Sequence, residues 1–400
     1  MRRLCTLLGL PQHRFASIHV VGTNGKSSVT RMTAALLEAH GLSCGACVSP
    51  HPDRWSERVL IGGEEIAPEA FAAAVERTAQ AAATVNQALV EREEVTQFEV
   101  ATAAAFVAFA AARVDVAVVE AGLGGRLDAT NTIPSRVTVL TSIGLDHTEW
   151  LGGTELEIAA EKLAVLRDHT TLVLGLVSDE VAALAESTAL ERGAELVVAP
   201  ADPGEEVELR AAGRFQRRNF ALACAAAEAF LGELDRGAVA SVAASLTIPG
   251  RLERVADDPP TLLDVAHNAD GAAALAEALP EIAAGRPVAA ILAVLADKDA
   301  SAMLAALAPT VSRVICTRLP ADGPIRQGGL DVSARRRSLS ADELARNARE
   351  AGIEAESAGD FAAALERGRE WARANDGVLV VTGSHYVLAP ARAAIGLWQD

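Results

Sequence analysis

Short β-branched runs alternate along the chain with longer stretches rich in Ala and Leu. Ile18–Val21, Val114–Glu120, Val137–Ser142 and Leu172–Leu174 have strand length, as do Leu262–Val265, Ala289–Val294, Arg313–Thr317 and Val378–Thr382. They show little polar alternation, so each is expected to be buried on both faces, the habit of parallel strands. Between them, apolar positions recur at helical spacing. Val29, Met32, Leu36 and Ala39 form one stripe of a helix over 28–40, and Gly41 is placed to close it. Further helical runs cover 154–166 and 237–246. Strands alternating with helices predict βαβ units, parallel sheets and an α/β fold.

The pattern breaks near Pro249-Gly250 and again at the polar, proline-rich stretch 256–260. Two domains are therefore expected, over 1–248 and 258–400, joined by a linker at 249–257. A total of 400 residues suits two or three domains. The stretch 320–340 carries Gly, Pro and four arginines (326, 335, 336, 337) and is expected to be a surface loop; a basic contact to a phosphate is the alternative.

Charge narrows the partners. Lys and Arg number 36 against 53 Asp and Glu, a formal net charge of −17. Nucleic-acid binding needs positive surface for counterion release, so it is not expected. An anionic ligand must be met by local cations, backbone N–H groups or a metal. Five cysteines (5, 44, 47, 224, 316) are sparse and odd in number, which predicts reduced thiols and a cytoplasmic protein. Cys44-Gly-Ala-Cys47 follows a helix instead of opening one, so it is expected to be a strand of small buried residues and not a redox pair. No secretory leader is visible, and the longest weakly polar run, Val100–Ala112, falls short of the roughly 20 residues that span a bilayer, so no membrane partner is expected.

Candidate chemistry gathers where strands end. Ile18–Ser28 runs strand, Gly-rich turn, Lys26, Ser27, Ser28 and then helix. Such a loop aims N–H groups and a helix N-terminus at a phosphate chain, Lys26 adds positive charge, and Ser27 or Ser28 can ligate Mg²⁺. The glycine opening the loop is Gly22, nearer the lysine than in the usual P-loop spacing. Glu120 ends a second strand and leads into Gly-Leu-Gly-Gly, a place for magnesium held directly or through water. Asp146 and His147 follow a third strand, at the edge where parallel sheets bind ligands, and a metal contact is expected of His147. Lys162, in a helical run, is by sequence alone a surface lysine. In the second half, Asp264 and His267 close one strand, and Gly383, Ser384 and His385 close another.

These strings closely resemble the folylpolyglutamate synthase and bifunctional dihydrofolate synthase family of the Mur ligase superfamily. The matching motifs are HVVGTNGKSS (19–28), SPH (49–51), ERV (57–59), EAGLGGRLDATN (120–131), SIGLDHTEWLG (142–152), EK (161–162), Gln216 with Asn219, PGRLE (249–253), DVAHN (264–268), DKD (297–299) and GSHY (383–386). The resemblance implies a P-loop ATPase domain of Mur ligase type followed by a Rossmann-like domain. It implies an ATP-dependent amide ligase that joins L-glutamate to a reduced folate or to dihydropteroate through an acyl phosphate, working as a monomer. By the same resemblance, Gly22, Thr23, Asn24, Gly25, Lys26, Ser27 and Ser28 hold ATP, with Asn219, Arg251 and Asp264. Ser49, Glu120 and His147 ligate magnesium; Lys162 carries a carbamate serving a second ion. His267 and Ser384 bind the incoming glutamate, and Lys26, Lys162 and His267 form the catalytic set.

The chain departs from the family pattern in several places. GKSS stands for GKGS, DVAHN lacks a Gly and a Pro, and EKLAVL stands for EKAGII. Relatives carry a longer segment before the P-loop that helps bind the pterin, so either the start is recorded late or that part of the pocket is incomplete. Two alternatives remain open: a Mur-type ligase for another carboxylate, and a catalytically silent nucleotide-binding paralogue.

Overall fold

The computed structural model describes residues 1–51, 54–89, 93–319, 326–327, 330–331 and 338–396. Its contacts divide the chain into two compact units. The first holds 1–210 and 217–246; the second holds 211–216 and 247 onward.

The first unit is built on an eight-stranded sheet. Its strands are β1 (Ala16–Val21), β2 (Cys44–Cys47), β3 (Val59–Ile61), β4 (Glu64–Glu65), β5 (Val116–Glu120), β6 (Val137–Leu140), β7 (Thr171–Leu174) and β8 (Glu195–Val198). They lie in the order β4-β3-β2-β5-β1-β6-β7-β8. All pairings are parallel except β2–β3 and β3–β4. Strand β1 is central, with Val20 in register with Glu120 and Val21 with Leu140. The ends of β1, β5 and β6 therefore share one edge of the sheet. Cys44 and Cys47 lie buried on β2, as the sequence predicts, and burial pushes the Cys47 thiol up to about 12. Such a thiol has no thiolate for redox work.

Both faces of this sheet are covered. On one, the helix Gln97–Ala112 contributes Phe106 and Phe109, with no exposed surface, and Phe15 packs on both at ring distances of 6.2 and 5.8 Å. Thr96 and Glu99 close a capping box at its start. Gly45 must be glycine here, because a Cβ would stand 2.6 Å from Phe109. Further along the same face, the helices Glu155–Leu163 and Asp179–Arg192 bury Ala159, Leu163, Val181 and Ala185 against Leu140, Leu172 and Leu174, while the helix Lys26–Ala39, with Val29, Met32 and Leu36 buried, lies on β1, β2 and β5 from the other side.

The second unit carries a six-stranded sheet: β9 (Glu253–Asp257), β10 (Pro260–Leu263), β11 (Val288–Leu292), β12 (Arg313–Cys316), β15 (Glu354–Ser357) and β16 (Val378–Thr382). Two short strands, β13 (Arg326–Gln327) and β14 (Leu330–Asp331), pair antiparallel on their own. They are the described part of the stretch 320–337; Arg335, Arg336 and Arg337 lie outside the described residues. The order of the sheet is β15-β12-β11-β16-β10-β9, parallel except for β9. Strand β9 falls within the stretch expected to be a linker. The helices Ala269–Ala283, Ala300–Leu307 and Ala341–Glu350 cover one face, and Phe361–Ala374 with Leu388–Ile395 covers the other. No helix among the described residues is long and apolar enough to cross a membrane.

Candidate active site

The loop between β1 and the helix Lys26–Ala39 is shaped by two glycines. Gly22 has φ +151°, and a Cβ there would lie 1.9 Å from Thr141 Oγ1. Gly25 has φ +82°, and a Cβ there would lie 2.6 Å from Asn219 Oδ1. Asn219 thus abuts the turn. Lys26 Nζ folds back over the loop and donates to Gly22 O (3.1 Å) and Thr23 O (2.9 Å).

The segment after β6 braces this loop. Thr141 Oγ1 and Ser142 Oγ donate to Asn24 O at 2.6 and 3.2 Å. Thr23 Oγ1 donates to Gly144 O (3.2 Å) and accepts from Gly144 N (3.1 Å). The sequence reading did not single out Thr141 or Ser142. Two hydroxyls at the end of a strand beside the P-loop strand are the signal for them.

Glu120 is 2% exposed at the end of β5. Its carboxylate accepts from Ser27 Oγ (3.0 Å) and from Ser49 N (2.9 Å). The GKSS departure therefore supplies a contact: Ser27 grips the carboxylate. Ser28 is 1% exposed, and its Oγ is buried with no hydrogen-bond partner. An orphaned hydroxyl at the start of the P-loop helix, next in sequence to the serine that holds the Glu120 carboxylate, offers hard oxygen of the kind that suits Mg²⁺. Among the described residues, no three His, Cys, Asp or Glu converge as a metal cluster. His147 follows in the left-handed conformation at φ +53°, with a side chain 40% exposed and Nε2 3.8 Å from Asp146 Oδ1.

Lys162 corrects the residue-by-residue reading. It is not a surface lysine: it is 4% exposed, and Nζ donates to Gly22 O at 2.8 Å. The helix Glu155–Leu163 packs that side chain beneath the P-loop. Burial, followed by the charge of Lys26, lowers its pKa to about 7.

The Gly-rich loop after Glu120 is tied down from within. Asp128 accepts from Leu123 N (2.8 Å) and from Thr130 N (2.9 Å), and Thr130 Oγ1 meets buried His19 Nε2 at 2.8 Å. Gly125 lies against the helix, where a Cβ would be 2.7 Å from Glu161 O and 2.8 Å from Lys162 O. Nearby, the SPH and ERV strings meet: Arg58 Nε donates to His51 Nδ1 (2.8 Å), and its guanidinium lies 4.4 Å from the Trp55 ring centre.

In the second unit, the ends of β10 and β16 form another polar edge. Asp264 is buried and accepts from Leu252 N (3.1 Å) and Ala266 N (2.8 Å). Burial raises its carboxyl pKa, while Arg251 and these N–H groups oppose the rise. His267 Nδ1 donates to Val265 O at 2.9 Å, and its ring stands 4.9 Å from that of His385. Ser384 is 2% exposed and accepts from Tyr386 N at 3.2 Å.

Residues 250–385 match the model of the Mur ligase glutamate ligase domain. Along 98% of its length the chain is 37% identical to the dihydrofolate synthase/folylpolyglutamate synthase of Mycobacterium tuberculosis, covering 88% of that protein. The chain belongs to the dihydrofolate synthase/folylpolyglutamate synthase family. A solved Mycobacterium tuberculosis folylpolyglutamate synthase complexed with ADP superposes on the whole chain and 94% of its own, with TM-score 0.89 and 33% identity. A bifunctional family member solved with Mn, AMPPNP and L-glutamate covers 99% of this chain and 93% of its own, with TM-score 0.81 and 28% identity. The α/β architecture expected from the sequence, a nucleotide-binding part followed by a C-terminal part, is the family's.

Proposed function

We propose that this chain is an ATP-dependent ligase that forms an amide between L-glutamate and a folate carboxylate, through an acyl phosphate. The observation that carries it is the match along 98% of the chain to a dihydrofolate synthase/folylpolyglutamate synthase. The edge formed by β1, β5 and β6 supports it, since it holds a P-loop, a buried carboxylate and an orphaned hydroxyl.

A carboxylate is a poor acyl donor. The γ-phosphoryl group of ATP passes to it, giving the acyl phosphate and ADP. The glutamate amine then attacks the acyl carbon, phosphate leaves with the bonding pair, and the nitrogen sheds a proton. The first step asks chiefly for positioning and for relief of developing negative charge. Lys26 supplies that charge: the phosphate oxygens replace the Gly22 and Thr23 carbonyls it now holds. Gly22 through Ser28 cradle the chain of phosphates, with Asn219 against the turn. In the second unit, Arg251 and Asp264 contact the nucleotide, and His267 and Ser384 hold the incoming L-glutamate.

Ser28, Ser49, Glu120 and His147 are the residues that would hold magnesium, which when bound screens the phosphate charge. Lys162 is the proposed carbamate. With its pKa lowered to about 7, a large share of the amine is neutral at pH 7, the form that reacts with CO₂. The resulting anion would sit beside Lys26 and gain a partner. The substrates are small molecules, the chain works as a monomer, and its free cysteines, four buried and Cys224 half-buried, suit a reducing cytoplasm.

Oxygen labelling tests the acyl phosphate. A folate or dihydropteroate substrate labelled with ¹⁸O in the reacting carboxylate should hand one labelled oxygen to the released phosphate. Unlabelled phosphate from a productive reaction would refute the route.

A further inference from the structure

The opposite edge of the first sheet holds a feature that the ligase reaction leaves unused. Segments leading into β1, β6 and β7 line an open cleft of about 630 Å³, a size that accommodates small metabolites. Arg2, His13, Arg136 and Arg167 line it. In a chain of net charge −17, three guanidinium groups around one cleft call for a reason. Arg2 and Arg136 pair with no carboxylate among the described residues. Arg167 donates only to neutral acceptors: Asn131 O (2.9 Å), Asn131 Oδ1 (2.8 Å) and Ile133 O (3.1 Å). The one carboxylate in the lining, Asp168, is taken by Arg192 at 3.0 Å. Burial, then the charges of Arg2 and Arg192, push the Arg167 guanidinium below its ordinary range.

We propose that this cleft binds a small polyanion whose phosphate or carboxylate oxygens meet Arg2, Arg136 and Arg167. Guanidinium forks suit planar carboxylates and phosphates alike. The site is distinct from the P-loop, which lies at the other end of the same strands. Its wall continues into the Gly-rich loop, because Asn131, which Arg167 grips, ends the EAGLGGRLDATN string.

The test is calorimetric titration of the full chain, without divalent ions, using citrate and pyrophosphate as probes. The comparison protein carries Arg2→Glu and Arg136→Glu, both exposed positions, and keeps the P-loop, so the difference reads the cleft. Wild type should bind at least one probe at this site, and the double variant should bind it at least ten-fold more weakly at an unchanged melting temperature. Stronger citrate binding would name a carboxylate-bearing ligand, and stronger pyrophosphate binding a phosphorylated one. The milder Arg136→Gln should weaken the same probe several-fold, which covers any misfolding of the double variant. Equal binding by wild type and Arg136→Gln, or no binding beyond the P-loop, would overturn the proposal.

Discussion

At the scale of single residues, Gly22 O accepts from two lysine amino groups, Lys26 at 3.1 Å and Lys162 at 2.8 Å. With Lys26 charged and the charge of Lys162 suppressed by burial and by Lys26, the site is short of negative charge, and triphosphate or a carbamate would supply it. Lys26→Ala should therefore lower kcat by roughly 10²-fold or more, on the order of 3 kcal/mol of transition-state stabilisation, with the fold retained. Steady-state ligase assays at saturating ATP check this; near-wild-type turnover would remove Lys26 from the mechanism. For Lys162 the sign of the pH effect is fixed by the lowered pKa. Folded, it loses its proton near pH 7; unfolded, near 10.5. Between these values the unfolded chain binds more protons, so stability should rise as pH rises from about 7 to 10. Urea unfolding across that range should show a slope that Lys162→Met abolishes. Lys162→Ala should cripple the ligase, with partial recovery on adding acetate. None of this was legible from the residue itself, because a helical lysine is usually solvated. Its burial comes from packing against a P-loop 140 residues away in sequence.

At the scale of elements, the strands legible in the sequence are those buried on both faces. β1, β5, β6, β11 and β16 show continuous apolar runs because helices cover them above and below. The ones that escaped lie at or near the sheet edges. β8 and β15 are half exposed, and β9 alternates through the stretch expected to be a linker. An edge strand buries too little to write a hydrophobic run. The P-loop, the strand-end Glu120 and the Asp264–His267 string were legible because turn glycines and charged residues interrupt such runs. The bracing by Thr141 and Ser142 was not, since hydroxyls at strand ends are common. The Gly-rich loop and the helix Glu155–Leu163 behave as one piece, because Gly125 sits on the carbonyls of Glu161 and Lys162. Gly125→Ala forces a methyl group onto backbone and should cost about 1–3 kcal/mol of stability. It should also lower ligase activity, since the shifted helix carries Lys162. Chemical denaturation together with kinetics checks both; an unchanged midpoint and rate would show the two elements to be independent.

At the scale of the whole molecule, the chain joins a nucleotide-binding unit to one that matches a glutamate ligase domain over 250–385. Each unit places its polar residues where parallel strands end, so the chemistry follows from the βαβ topology. The central claim is that ATP cleavage is coupled to glutamate addition on a folate. It is tested most directly by phosphate release from ATP, measured with L-glutamate plus tetrahydrofolate, with L-glutamate plus dihydropteroate, and with each component omitted. The account predicts phosphate formation equal to the amide formed, with at least one of the two acceptors, and a fall to background when glutamate or the acceptor is left out. ATP hydrolysis indifferent to both, or no hydrolysis with either acceptor, would contradict it.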